Sequence, residues 1–136
     1  MVRQLELDFV SASTVTQFIT EAGVYEAQGK RPTMEDATVA QESVTVPGLN
    51  HPISMYCVFD GHGGTSCSEY ANQHYVDELI LALAGQTDAD GTSVPQKMCE
   101  VLYKLDETYQ VHPEHSGVSD GTGSCAVCVV FYDGDK

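Results

Sequence analysis

The chain has 136 residues, 42% of them hydrophobic, which is enough for one domain with a core but not for two. Its 20 acidic residues outnumber 6 basic ones, giving a formal net charge of -14. This charge repels phosphate backbones and anionic lipids, so we expect neither nucleic acid nor a membrane as partner. The amino-terminal residues do not resemble a secretory signal, and no segment approaches the roughly 20 apolar residues that span a bilayer.

The first half of the sequence predicts short strands. Residues 1–22 alternate weakly and are interpreted as an N-terminal arm or strand, with the main domain over residues 23–136. Residues 24–28 and 37–46 are predicted strands on either side of a loop. A third, mainly apolar strand over residues 53–59 is followed directly by Asp60-Gly61-His62.

Two amphipathic helices are predicted next. The first begins at Thr65 or Ser66, where Ser66 and Glu69 have capping-box spacing, and extends through Ala84. The second begins at Ser93 and ends at His112-Pro113. Their apolar stripes are Tyr70, Ala71, Tyr75, Leu79, Ile80 and Leu83, and then Met98, Val101, Leu102, Leu105 and Tyr109.

The sequence ends in a predicted strand, residues 124–132, followed by the hairpin signal Asp133-Gly134. A strand without its sequential partner is a liability, so we expect the chain to be the front part of a longer domain.

The five cysteines are odd in number and lie mostly in apolar sequence, which favours reduced thiols and a cytoplasmic or nuclear location. Cys125 and Cys128 have the spacing of half a zinc site. In a strand, however, residues three apart point to opposite faces, which disfavours zinc.

Two acidic features carry the candidate chemistry: Glu35-Asp36, after a loop that holds Arg31, and Asp60-Gly61-His62. Magnesium and manganese prefer carboxylate, carbonyl and water oxygens, and glycine lets a carbonyl approach an ion. If neighbouring strands bring these residues together, with Arg31 free to bind phosphate, the site suits metal-assisted phosphoryl hydrolysis. Singly, the acids are more typical of a solvated loop, His62 of a helix cap or a hydrogen bond within its loop, and Arg31 of an ordinary surface charge.

The joint pattern resembles the PPM, or type 2C, family of metal-dependent protein serine/threonine phosphatases. Residues 31–36 match the family motif R-x-x-M-E-D, and residues 58–64 match V-x-D-G-H-G-G. A weaker match, residues 123–127, is similar to the family's G-S-T-A strand with Cys125 replacing threonine.

The resemblance implies an α+β fold, a β-sandwich with helices on its outer faces, and a two-metal site that binds Mn²⁺ or Mg²⁺. Asp60 would bridge the ions, Gly61 would lend its carbonyl, and Glu35 and Asp36 would bind the metals or orient their waters. A metal-activated water would then attack the phosphorus of a phosphoserine or phosphothreonine in a phosphoprotein substrate. His62 would act as general acid, and Arg31 would hold the phosphate.

Family members continue beyond this segment and supply further metal-binding aspartates, so the resemblance also implies an incomplete fold here. A C-terminal half or a second copy is expected to complete it, and the segment alone is expected to be inactive or weakly active. One alternative is a phosphatase-like interaction module without turnover. Another is a serine hydrolase, because residues 117–121 fit G-x-S-x-G, but the strand before and helix after the serine that this motif needs are not predicted.

Overall fold

The computed structural model describes residues 21–85, 93–112 and 121–132. In chain order the elements are β1 (Ala37–Val44), β2 (Ile53–His62), α1 (Ser66–Leu83), α2 (Ser93–Val111) and β3 (Gly123–Phe131). The strands form one antiparallel sheet in the order β1-β2-β3, with β2 in the centre. These elements confirm the α+β class, and the second sheet of the predicted sandwich is not among the described residues.

Helix α1 packs on one face of the sheet, and α2 packs on α1. Alternate residues of β2 point towards α1 and are buried, namely Ile53, Met55, Cys57 and Phe59. They meet the buried side chains Tyr75, Leu79 and Leu83 of α1, which belong to its predicted apolar stripe. The Phe59 and Tyr75 rings are 5.8 Å apart in a T-shaped arrangement. Each such side chain contributes about 1.5–3 kcal/mol when buried, so this layer stabilises the fold.

The two helices are joined by ring and ionic contacts. Tyr70 of α1 lies 5.3 Å from the ring of Tyr109 of α2, and its hydroxyl donates to Thr108 Oγ1 at 3.1 Å. Lys104 and Glu78 form a salt bridge between the same helices. None of the described helices combines the length and apolar character that a membrane span requires.

The other face of the sheet carries apolar side chains that the described residues leave uncovered. Val58, Val127 and Val129 are 45%, 67% and 44% exposed. Val58 and Val127 are paired across β2 and β3, so they lie side by side. We call these three residues the outer valine face. Exposed apolar patches of this kind mark surfaces that pack against another layer or partner.

Several local predictions differ from the structure. The predicted strand over residues 24–28 is wrong, because this segment is irregular and exposed. A strand needs a partner as well as a suitable pattern, and no ladder to a described strand forms here. The predicted residues 1–20 of the N-terminal arm, the hairpin at 133–134 and the G-x-S-x-G segment up to residue 120 lie outside the described residues.

The predicted capping box at Ser66 and Glu69 is also wrong. Thr65 is the N-cap residue and makes no side-chain cap hydrogen bond. The Ser66 hydroxyl instead lies 2.8 Å from the Tyr109 hydroxyl, so a tertiary contact replaces the local one.

Candidate active site

The register of β1 and β2 brings the two acidic motifs to the same end of the sheet. Ala37 pairs with Phe59 in the antiparallel ladder. Asp36 and Asp60 each lie one residue beyond this pair, and both are exposed. Directly opposed residues of antiparallel strands have Cβ atoms about 4.5–5.5 Å apart, so the pairing gives two neighbouring acids at this edge.

A buried serine on α1 holds the backbone just before Asp36. The Ser68 hydroxyl is fully buried and donates to the Glu35 carbonyl at 2.5 Å, with the Thr65 carbonyl 3.0 Å away. Glu35 Oε1 in turn accepts a hydrogen bond from Thr33 Oγ1 at 2.8 Å. Ser68 was not among the predicted site residues, although its position seven residues before the buried Tyr75 places it on the inward face of α1.

Gly61 is required by the same close packing. A Cβ atom there would lie 2.7 Å from Ser68 Oγ and still closer to the Glu35 carbonyl oxygen. Because the backbone oxygen cannot move without shifting the loop, only glycine fits between β2, α1 and the Glu35 segment. The structure thus provides a packing reason for this glycine, and its predicted carbonyl ligation of a metal stays a prediction.

His62 lies at the last position of β2, opposite the first residue of β3. It pairs with Gly123, and a Cβ atom on Gly123 would lie 2.5 Å from His62 Nε2. The exposed imidazole therefore rests on the Gly123 backbone. Gly123 was part of the weakest sequence match, and nothing in its local pattern indicated that it supports the histidine.

Three hydroxyl groups connect the elements behind this end of the sheet. Thr122 Oγ1 lies 2.6 Å from the Tyr109 hydroxyl and 3.1 Å from Ser66 Oγ. The cluster joins the start of α1, the last turn of α2 and the residue before β3. It fixes the approach to Gly123, and therefore the surface on which His62 rests.

Arg31 lies in an exposed turn before the Glu35-Asp36 segment. Its backbone N–H donates to the Gln28 carbonyl at 3.3 Å, and Gln28 Nε2 donates to the Arg31 carbonyl at 2.8 Å. Its guanidinium forms no salt bridge with any described residue. The turn fixes the backbone but leaves the charge accessible to solvent.

The described part of the chain places two candidate metal ligands at one edge of the sheet. Asp36 and Asp60 are oxygen donors of the type that hard divalent cations prefer, and they lie at the same sheet edge. Within residues 21–85, 93–112 and 121–132, however, no three His, Cys, Asp or Glu side chains are grouped closely enough to hold an ion. Further oxygen donors are needed to complete a coordination sphere, and the ligand roles of Glu35, Asp36, Asp60 and Gly61 stay predictions.

Comparison with known proteins identifies relatives over nearly the whole chain. The family model for protein phosphatase 2C matches residues 20–135. Probable protein phosphatase 2C 8 of Arabidopsis thaliana is 31% identical over 119 residues, which cover 86% of this chain and 33% of that protein. The integrin-linked kinase-associated serine/threonine phosphatase 2C of Bos taurus is 30% identical over 138 residues, covering 95% and 36% of the two chains.

A shorter alignment joins the chain to protein phosphatase 2C 1 of Paramecium tetraurelia, with 42% identity over 55 residues, or 40% of this chain and 17% of the relative. The chain spans about a third of the length of the Arabidopsis and bovine relatives that it matches over most of its own length. Since the family model matches residues 20–135, well over half of the sequence, the chain belongs to the protein phosphatase 2C family.

Proposed function

We propose that this chain forms the front part of a metal-dependent protein serine/threonine phosphatase that hydrolyses phosphoserine and phosphothreonine in phosphoproteins. Family membership supports the phosphatase activity. The observation that carries the site assignment is the pairing of Ala37 with Phe59, which puts Asp36 and Asp60 at one sheet edge.

In this proposal different residues of the chain bind the metal, donate a proton and bind the phosphate. Asp60, Asp36 and Glu35, with the Gly61 carbonyl, would hold Mn²⁺ or Mg²⁺. The cation would supply a Lewis acid that lowers the pKa of a bound water and neutralises phosphate charge. His62, resting on Gly123 beside Asp60, donates a proton to the leaving serine or threonine oxygen. Arg31, which has no ionic partner among the described residues, binds phosphate oxygens in a bidentate contact.

We also propose that the outer valine face is the inner surface of the predicted β-sandwich. Its occupant is the remainder of the family domain, because the Arabidopsis and bovine relatives are about three times as long as this chain. Two sheets that pack face to face bury alternating apolar residues of this kind. The second sheet would also bring the oxygen donors that the described residues lack.

The proposed location is the cytoplasm or nucleus. All five cysteines lie in described segments, and none of them forms a disulfide there. Free thiols in this number are typical of reducing compartments.

The second candidate is an interaction module that binds phosphoproteins without hydrolysing them. The observation that favours it is that the described residues contain no complete three-donor group for a metal ion. Binding of a phosphopeptide without hydrolysis, at saturating Mn²⁺, would support this candidate over the phosphatase.

The test is Mn²⁺ binding measured by electron paramagnetic resonance, together with Mn²⁺-dependent hydrolysis of para-nitrophenyl phosphate. Asp60→Asn is expected to weaken Mn²⁺ binding at least tenfold, about 1.4 kcal/mol, and to abolish any hydrolysis. Asp106→Asn is the matched control, since Asp106 is an exposed acid on α2. Equal Mn²⁺ affinity in the wild type and Asp60→Asn, or metal-independent hydrolysis, would refute the proposed site.

A further inference from the structure

Two thiols face each other across the β2–β3 ladder, on the side of the sheet that packs against α1. Cys57 and Cys128 are directly opposed in the antiparallel register. Opposed residues in such a ladder have Cα atoms about 4.5 or 5.5 Å apart, depending on the hydrogen-bonding type of the pair. Both separations lie within the roughly 4.4–6.8 Å that a disulfide spans. The register therefore places the two Cα atoms within the range that a disulfide spans.

The two thiols differ in access and acidity. Cys57 is 2% exposed, whereas Cys128 on the edge strand β3 is only partly buried. The interaction with Cys128 and burial raise the pKa of Cys57, whereas the interaction with Cys57 lowers the pKa of Cys128. Since the thiolate is the reactive form, the greater exposure and the lowered pKa favour Cys128 over Cys57 as the thiol that reacts first with a small oxidant.

A buried hydroxyl lies beside the pair. Tyr75 of α1 is fully buried, and its hydroxyl makes no hydrogen bond to any of the described residues. Burial raises the pKa of Tyr75, and the nearby charge of Cys128 raises it further. The phenol therefore stays protonated and is available as a donor to a Cys128 thiolate.

We infer that Cys57 and Cys128 form a redox-active dithiol that hydrogen peroxide converts into a disulfide linking β2 to β3. The Cys128 thiolate attacks one peroxide oxygen, the O–O bond breaks, and the hydroxide released is protonated to water. This leaves a sulfenic acid on Cys128. The Cys57 sulfur then attacks the Cys128 sulfur, the S–S bond forms, the S–O bond breaks, and the hydroxide leaves with the Cys57 proton as a second water. Two thiols thus lose two electrons, which the peroxide gains.

Two of the other cysteines, Cys99 and Cys125, lack this arrangement. Cys125 lies on the same strand as Cys128 but is exposed and pairs with Asp60. The Cys99 thiol on α2 donates to the Pro95 carbonyl at 3.2 Å, within its own helix. A disulfide that forms only on oxidation also agrees with the proposed reducing compartment, where such bonds are transient.

The experiment maps disulfides in the folded 136-residue chain after treatment with hydrogen peroxide. Remaining thiols are blocked with N-ethylmaleimide under denaturing conditions, and the digest is analysed by mass spectrometry. The expected main product is the Cys57–Cys128 linked peptide, reversed by dithiothreitol and at least tenfold above any other pair, because fixed neighbours react at a high effective concentration. The same treatment in urea should give mixed pairs.

Two variants test the order of the steps. Cys57→Ser should abolish the cross-link and leave a Cys128 sulfenic acid that dimedone traps, whereas Cys125→Ser should keep the cross-link at wild-type yield. Full alkylation of both Cys57 and Cys128 after oxidation of the folded wild type, or Cys128 linked mainly to another cysteine, would overturn the inference. If Cys57→Ser fails to fold, the disulfide map of the folded wild type, compared with that of the wild type in urea, still tests the inference. Because the readout is a mass and not hydrolysis, it is independent of the proposed function.

Discussion

At the scale of single residues, one hydroxyl connects α1 to the acidic edge of the sheet. The Ser68 hydroxyl is fully buried and donates to the Glu35 carbonyl. Ser68→Ala leaves that carbonyl without its donor in a site from which water is excluded. We expect the free energy of unfolding to fall by about 1–3 kcal/mol, measured by urea denaturation.

The matched control for Ser68→Ala is Ser124→Ala. Ser124 is partly exposed, and among the described residues its hydroxyl bonds only the neighbouring Cys125 carbonyl. Its loss should change stability by less than about 0.5 kcal/mol. Similar decreases in the free energy of unfolding of the two variants would show that the Ser68–Glu35 hydrogen bond does not stabilise the fold more than the exposed Ser124 bond does.

A second residue-scale prediction concerns Gly61. Gly61→Ala places a Cβ atom against the Glu35 carbonyl and Ser68 Oγ, so the Glu35-Asp36 segment must shift. Overpacking of this kind costs about 1–3 kcal/mol. We expect that loss in urea denaturation, together with a displaced amide resonance of Asp36 in NMR spectra.

Gly23→Ala is the control for Gly61→Ala, since a Cβ atom at Gly23 meets nothing within 4 Å. It should leave both stability and the Asp36 resonance unchanged. Wild-type stability in Gly61→Ala would mean that the Glu35-Asp36 segment shifts without cost to make room for the methyl group. The packing around Gly61 would then be looser than described.

At the scale of elements, α1 is the central layer, because it contacts the sheet on one side and α2 on the other. Leu79 is fully buried in this layer, whereas Leu81 on the same helix is 68% exposed. Leu79→Ala should lower the free energy of unfolding by about 2–5 kcal/mol through lost burial and a new cavity. Leu81→Ala should change it by less than about 0.5 kcal/mol. If urea denaturation shows similar decreases in the free energy of unfolding for the two variants, the orientation of α1, with Leu79 buried and Leu81 exposed, would be contradicted.

At the scale of the whole molecule, the net charge of -14 opposes folding through mutual repulsion of the acids. Sodium chloride should therefore raise the melting temperature steeply at low concentration. The rise should level off above about 0.15 M, where the screening length is near 8 Å. A calorimetric series in salt checks this expectation. A melting temperature that rises only at molar salt would indicate solvent exclusion and not screening.

The two helices were predicted well from the periodicity of their apolar residues. Both follow the predicted segments to within a residue or two, and the buried Tyr75, Leu79, Val101 and Leu105 belong to the predicted stripes. A helix hydrogen-bonds within its own segment, so its pattern is local. The strand predicted over residues 24–28 is wrong, since the stability of a strand depends on a partner that its own sequence does not specify.

The amino-acid sequence by itself determined the family of this protein, its two helices and the residues of the two acidic motifs, because each is a local pattern of residue types. The tertiary structure alone decided that Asp36 and Asp60 share one sheet edge, that Ser68 and Gly61 hold the Glu35 backbone, and that Cys57 faces Cys128. The physical reason is that strand register depends on pairing between distant segments, and a shift of one residue would send every side chain to the opposite face.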